Sequence, residues 1–311
     1  MSRVRAKRAV LARAKARAYV CLGLLAALAG LWGTPSRADQ KTVAQENDWN
    51  RPYEPFRVIG NIYYVGTIEL GVYLITTPAG HVLIDGGLPQ STPVIEAAIE
   101  KAGFKLTDIK ILLTTQAHFD HVGTLAALAA KSRGQVMVME GDADLVEHGG
   151  HGDYLFADRS PFDPVKVARV LKDGEMVTLG DHVMQAHRTP GHTRGCTTWT
   201  TTVRDNGLTY TVVFAGSTTV NPGTRLVHNP SYPGIRADYE RSFSVLGAMH
   251  PDVFLGAHAG FFDLDGKRQR QLAGATPNPF IDPKGFADMV QRSEQRFHEL
   301  VAAEEAGPQG R

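Results

Sequence analysis

Residues 109–134, IKILLTTQAHFDHVGTLAALAAKSRG, pass from a continuous β-branched and leucine run through a dense polar cluster into an alanine- and leucine-rich stretch. The uninterrupted apolar run suits a strand buried on both faces, and the apolar spacing after the cluster is helical. The polar cluster, Gln116, His118, Asp120 and His121, therefore sits at the exit of a buried strand.

Other segments give the layers around it. NIYYVG (61–66) and GVYLITTPAGHVLIDGG (71–87) are β-rich, and the Pro78-Ala79-Gly80 turn makes the second a hairpin. STPVIEAAIEKAGF has apolar residues at helical spacing behind a candidate N-cap, Ser91. QVMVM, MVTLG, HVMQAHR, CTTWTTTV and LTYTVVFAG read as further strands, the last two joined by the Asp205-Asn206-Gly207 turn. ADYERSFSVLGAM and the stretch from Lys284 to about Ala303 read as helices. Strands, helices, strands and helices in that order predict an α/β fold, two sheets face to face with helices outside.

The first 38 residues differ from the rest. Seven basic residues precede the apolar run from Ala18 to Trp32, and Ser36-Arg37-Ala38 supplies a small-x-small end. That pattern predicts a signal peptide, residues 1–38, with cleavage before Asp39 and a single domain over 39–311. The apolar run falls short of the roughly 20 residues of a spanning helix, so no stable membrane insertion is expected after cleavage. Cleavage would leave 25 Lys and Arg against 32 Asp and Glu, a formal charge of −7. Such an acidic chain has no electrostatic case for binding nucleic acid. Cys196 would then have no partner for an intramolecular disulfide and is expected as a small buried apolar residue. No heptad or apolar stripe argues for more than a monomer.

In an extended segment Gln116, His118 and Asp120 share one face, and a turn into the next helix lets His121 join them. His192, in RTPGHTRG, and His258, in FLGAHAGF, also follow strands and lie in glycine-containing loops. His81, His148, His151, His182, His187, His228, His250 and His298 show no such grouping and are assigned surface or structural roles. Imidazole together with carboxylate suits zinc.

The H-x-D-H core, TPGHT and the GAH loop resemble the metallo-β-lactamase superfamily, which implies an αββα sandwich with a metal site along one edge. STTVNPGTRLVHNPSYPGIRADYERSF and LGAHAGFFDLDGKRQR resemble segments of the subclass B3 enzymes, and the likeness runs from roughly Asn61 to Phe286. It implies two zinc ions, the first held by Gln116, His118 and His192 and the second by Asp120, His121 and His258. The family usually has histidine where this chain has Gln116, although glutamine variants are known within the subclass. A glutamine binds only through its amide oxygen, a neutral and harder donor than imidazole. The first site is therefore expected to be the weaker for zinc.

The resemblance further implies hydrolysis of the β-lactam amide bond in penicillins, cephalosporins and carbapenems by a metal-bound hydroxide, with Asp120 the catalytic carboxylate. Its setting is antibiotic resistance in the periplasm of a Gram-negative bacterium. Ser217 and Thr219 would hydrogen-bond the substrate carboxylate. By its own residues the stretch 149–162 reads as a loop whose Tyr154, Leu155 and Phe156 either cover the site or pack inward. Trp199 and Tyr232 are read as core and turn residues. Many other members carry a metal-bridging aspartate in F-x-GD; here VVFAGSTTV places Ser217 there. That departure argues against a lactonase or thioesterase on the same fold. The retained ligands argue against a zinc-binding protein without activity.

Overall fold

Alternation along the first hairpin builds two layers at once. In the structure, a computed structural model that describes residues 45–307, β1 (Phe56–Ile59), β2 (Ile62–Tyr64), β3 (Tyr73–Thr77), β4 (Gly80–Ile84), β5 (Ile109–Leu113), β6 (Gln135–Met139) and β7 (Arg169–Leu171) form one sheet in that order. β1 to β4 are antiparallel and β4 to β7 parallel. Tyr73, Ile75, Val82, Ile84, Ile111, Leu113, Met137 and Met139 face one core, while Leu74, Leu83, Leu112, Val136 and Val138 face another. That period of two is why the strand runs read as buried on both sides. The outer core is closed by Ile95 and Ile99 of α1 (Thr92–Lys101) and, beyond the short α2 (Phe119–Val122), by Leu125 and Leu128 of α3 (Leu125–Ser132).

The second sheet contains β8 (Met176–Leu179), β9 (His182–Arg188), β10 (Thr197–Asp205), β11 (Leu208–Ala215) and β12 (Val253–Gly256), ordered β12-β11-β10-β9-β8. β11 and β12 are parallel and the rest antiparallel. Asn206 and Gly207 both adopt positive φ in the turn between β10 and β11, as a tight hairpin requires. After α4 (Ala143–Glu147), the longer helices are α5 (Ile235–Gly247), α6 (Leu264–Leu272) and α7 (Pro283–Glu305). Tyr239, Phe243 and Leu246 of α5, with Phe286, Val290 and Phe297 of α7, join the core of this sheet. The result is an αββα sandwich.

Ser91 departs from its expected role: its hydroxyl accepts from Leu88 N at 3.0 Å and donates to Asn50 at 2.6 Å, and makes no cap bond to α1. α6 escaped the sequence reading because LDGKRQRQL buries only Leu264 and Lys267 and so carries almost no apolar period. Cys196 is buried, as expected, with its thiol on Ser217 O, and Trp199 is a core residue. The chain divides into two units, Met1–Glu46 and Asn47–Arg311, and the sheets belong to the second. The signal-peptide segment, residues 1–38, lies outside the described residues. Among the described residues no helix is long and apolar enough to cross a membrane.

Candidate metal centre

The expected site residues gather at the C-terminal ends of strands: Gln116 and His118 after β5, with Asp120 and His121 in α2 just beyond, His192 after β9, Ser217 and Thr219 after β11, His258 after β12. Hydrogen bonds across the sheets fix these exits. Trp199 Nε1 donates to Thr114 O at 2.9 Å, Thr197 N donates to Thr115 O at 2.7 Å, and Tyr73 OH donates to Gly256 O at 2.7 Å. Gly191 has φ +129, and a Cβ there would lie 2.6 Å from the Tyr239 ring, so the bend before His192 requires glycine.

The single extended face expected for Gln116, His118 and Asp120 ends at His118. That residue is extended (φ −95, ψ 151), and α2 begins immediately after it. His121 N and Val122 N both donate to His118 O, at 2.9 and 3.0 Å. The helical turn sets Asp120 beside His258, 3.6 Å from its Nε2.

Two groups result. Asp120, His121 and His258 present ligand atoms all within 4.8 Å of one another and could hold a metal ion. His121 Nε2 lies 3.2 Å from His258 Nε2, and Asp120 Oδ2 lies 3.5 and 3.6 Å from the same two atoms. The far ring nitrogens face carboxylates, His121 Nδ1 at 3.3 Å from Asp85 and His258 Nδ1 at 3.4 Å from Glu69. In the other group His118 Nδ1 lies 3.1 Å from His192 Nε2. Here too the far nitrogens face acceptors: His192 Nδ1 donates to Thr219 O at 2.7 Å, and His118 Nε2 is 3.5 Å from Asp153 Oδ2.

Imidazole lone pairs do not face each other at such distances in a buried site unless a proton or a cation lies between them. Zinc–nitrogen bonds in a tetrahedral site would set two ligand nitrogens about 3.3 Å apart. Gln116 adds an independent sign: its Oε1 is buried and has no hydrogen-bond partner among the described residues. A buried acceptor without a donor is costly, and a cation would satisfy it. The donors present fit zinc.

Electrostatics agree with this division. Burial opposes charge on Asp120, yet His121, His258 and His118 together hold its carboxyl below the usual carboxylate range. Burial also works against an imidazolium at His121, but Asp120 and Asp85 outweigh it and raise its pKa. His192 is pushed down to about 3, by burial first and then by His118, so it is a neutral imidazole, the form that binds metals.

The 149–162 loop meets the first group. Phe156 packs edge-on against His118, with ring centroids 4.9 Å apart, and Tyr154 OH donates to His192 O at 3.1 Å. Ser217 Oγ and Thr219 Oγ1 are 2.9 Å apart, and Thr219 Oγ1 is 3.3 Å from His192 Nδ1. Tyr232 is buried at a turn, its OH on Asp238. The eight histidines assigned elsewhere stay out of the cluster; His187, for example, is engaged with Thr200 at 2.7 Å.

Sequence reasoning missed the carboxylates behind the ligands. Asp85 accepts from Thr115 N and Oγ1 at 2.7 and 2.6 Å. Asp142 accepts from Ala117 N at 2.9 Å, Thr193 Oγ1 at 2.6 Å and Gly195 N at 2.7 Å, tying the Gln116 loop to the His192 loop. Burial raises the Asp142 pKa against the pull of Thr193 and Gly195. Both aspartates follow apolar strands, LID and VMVMEGD, which was the available signal. Asp142→Ala strands three buried donors, so a loss of about 3 kcal/mol or more is expected in urea unfolding at an unchanged m-value.

Three comparisons with known proteins fall on this geometry. The FEZ-1 metallo-β-lactamase of Legionella gormanii is 44% identical, with 83% of this chain and 98% of that chain covered at a TM-score of 0.81. BJP-1 of Bradyrhizobium japonicum, a subclass B3 metallo-β-lactamase, is 41% identical, with 83% and 97% covered at a TM-score of 0.78. A hydroxyacylglutathione hydrolase of Rhodopseudomonas palustris is 33% identical over 121 residues, 39% of each chain. The chain thus spans about two fifths to half the length of the first curated relatives it matches. The Metallo-beta-lactamase superfamily itself matches residues 72–258, from just before β3 to the last histidine of the cluster. With more than half its length in that match and its histidines grouped at one edge of an αββα sandwich, the chain belongs to the metallo-β-lactamase superfamily.

Proposed function

We propose that this hydrolase is a zinc-dependent β-lactamase that opens the cyclic amide of β-lactam antibiotics. The observation that carries the reading is the pairing of His118 with His192 and of His121 with His258, each pair 3.1–3.2 Å apart, with the outer nitrogens turned toward Asp153, Thr219 O, Asp85 and Glu69 at 2.7–3.5 Å. Gln116, His118 and His192 would hold one zinc ion, and Asp120, His121 and His258 a second, more tightly held. When bound, zinc supplies a Lewis acid that lowers the pKa of water toward 7 and polarises a carbonyl oxygen.

The chain's own residues supply the rest. Asp120, a carboxylate at the edge of the second group, can orient a water molecule and accept its proton. Phe156 and Tyr154 cover the histidines of the first group and exclude bulk water there. The adjacent hydroxyls of Ser217 and Thr219 offer two donors to the carboxylate beside the lactam nitrogen. In the same reading residues 1–38 are a signal peptide, and residues 39–311 act as a monomeric single domain in the periplasm of a Gram-negative bacterium, conferring antibiotic resistance.

A thioester reading has its own support in the hydroxyacylglutathione hydrolase relatives. Against it stands Ser217, a neutral hydroxyl in the place of a bridging aspartate. The two readings separate in one assay: hydrolysis of a penicillin and a carbapenem by the chain from Asp39, with and without a chelator, across zinc concentrations. Turnover that the chelator stops is expected. No β-lactam turnover at any zinc concentration, with turnover of a glutathione thioester, would replace this reading with the second.

A further inference from the structure

The first group is short of negative charge. Its three proposed ligands, Gln116, His118 and His192, are all neutral, whereas the second group contains Asp120 and has Asp85 and Glu69 behind its histidines. Asp142 is buried behind this group with its oxygens taken by Ala117 N, Thr193 Oγ1 and Gly195 N, and a further buried carboxylate is turned toward one of its ring nitrogens. Asp153, its side chain 5% exposed, places Oδ2 3.5 Å from His118 Nε2, a buried atom with no hydrogen-bond partner among the described residues.

The other oxygen of the same carboxylate builds the covering loop. Asp153 Oδ1 accepts from Leu155 N at 2.8 Å and Phe156 N at 2.6 Å, and Ala157 N donates to Asp153 O at 3.0 Å. This closed turn delivers the Phe156 ring to the face of His118. Opening the loop would therefore remove both the ring and the carboxylate from His118.

We propose that Asp153 is a positioning residue that couples closure of the 149–162 loop to zinc affinity at the first site and offsets the weak donor Gln116. This rests on the reading of His118 as a zinc ligand. An acceptor on the far nitrogen of a ligating histidine fixes its tautomer, leaves Nδ1 free for the metal and raises its basicity. The coupling is reciprocal: zinc at the first site holds the loop closed as much as the closed loop holds zinc.

The test is a calorimetric zinc titration of the metal-free chain from Asp39, comparing wild type, Asp153→Asn, Gln116→His and the double variant. Asparagine keeps an oxygen for the Leu155 and Phe156 N–H groups and loses the charge. First-site affinity is expected to fall about 10- to 100-fold in Asp153→Asn, with the second site unchanged. The loss should be smaller in the Gln116→His background. Hydrogen exchange at residues 153–157 should slow on zinc loading in the wild type and respond less in the variant. Should Asp153→Asn not fold, Asp153→Ser keeps a turn-capping oxygen and reads the same effect. Two sites in the wild type with unchanged first-site affinity in the variants would overturn the role of Asp153 while leaving the zinc reading intact. A wild type that binds no zinc through His118 would overturn both.

Discussion

Asp120→Ala should remove hydrolytic activity at every zinc concentration, by a factor of about 10²–10⁴ or more. Asp120 is the carboxylate of the Asp120, His121, His258 group and stands 3.5–3.6 Å from the nitrogens of both histidines. Losing it removes one ligand and the group proposed to accept a proton, so excess zinc cannot restore the reaction. Zinc titration should show the second site weakened. In the metal-free protein a further sign is available: Asp120 raises the His121 pKa, so the His121 titration seen by NMR should move to lower pH in the variant. Substantial turnover in Asp120→Ala would take this residue out of the mechanism.

Gln116→His should raise zinc affinity at the first site by about tenfold or more, which is about 1.4 kcal/mol. The variant exchanges a neutral amide oxygen for an imidazole nitrogen beside His118 and His192. The readout is a second equivalent of zinc retained after dialysis, where the wild type keeps the first and releases much of the second. The buried position sets an opposing effect. Gln116 is 1% exposed, and a rigid ring of nearly the same volume must fit in place of a flexible side chain, at a cost of up to about 1.5 kcal/mol to the metal-free fold. Melting should thus fall without zinc and rise with it. A wild type that already holds two equivalents tightly would refute the weak-site account of Gln116.

The strand at 109–113 and the polar cluster after it were legible because both are local: one apolar run, one change of period and one short motif. The hairpin at 71–87 and the Asp205-Asn206-Gly207 turn were legible for the same reason. Asp120 shows where local reasoning fails. Extrapolating an extended backbone put it on the same face as His118, but the chain is already helical from Phe119. Asp85, Glu69, Asp142 and Asp153 were overlooked because their partners lie elsewhere in the chain: Asp142 is bound to Thr193, and Glu69 faces His258. No spacing rule links such pairs.

The sequence by itself determined the layers and the chemistry. Strand and helix periods dictated two sheets with outer helices, and the side-chain types at strand exits dictated a metal-binding edge with Gln116 as its odd member. Only the tertiary structure decided how those residues divide, His118 facing His192 while Asp120 and His121 face His258. Only it revealed the carboxylates behind them. The physical reason is that composition and period act through neighbouring residues, whereas lone-pair orientation and buried charge depend on which strand ends the packed sheets bring within about 3–4 Å of each other.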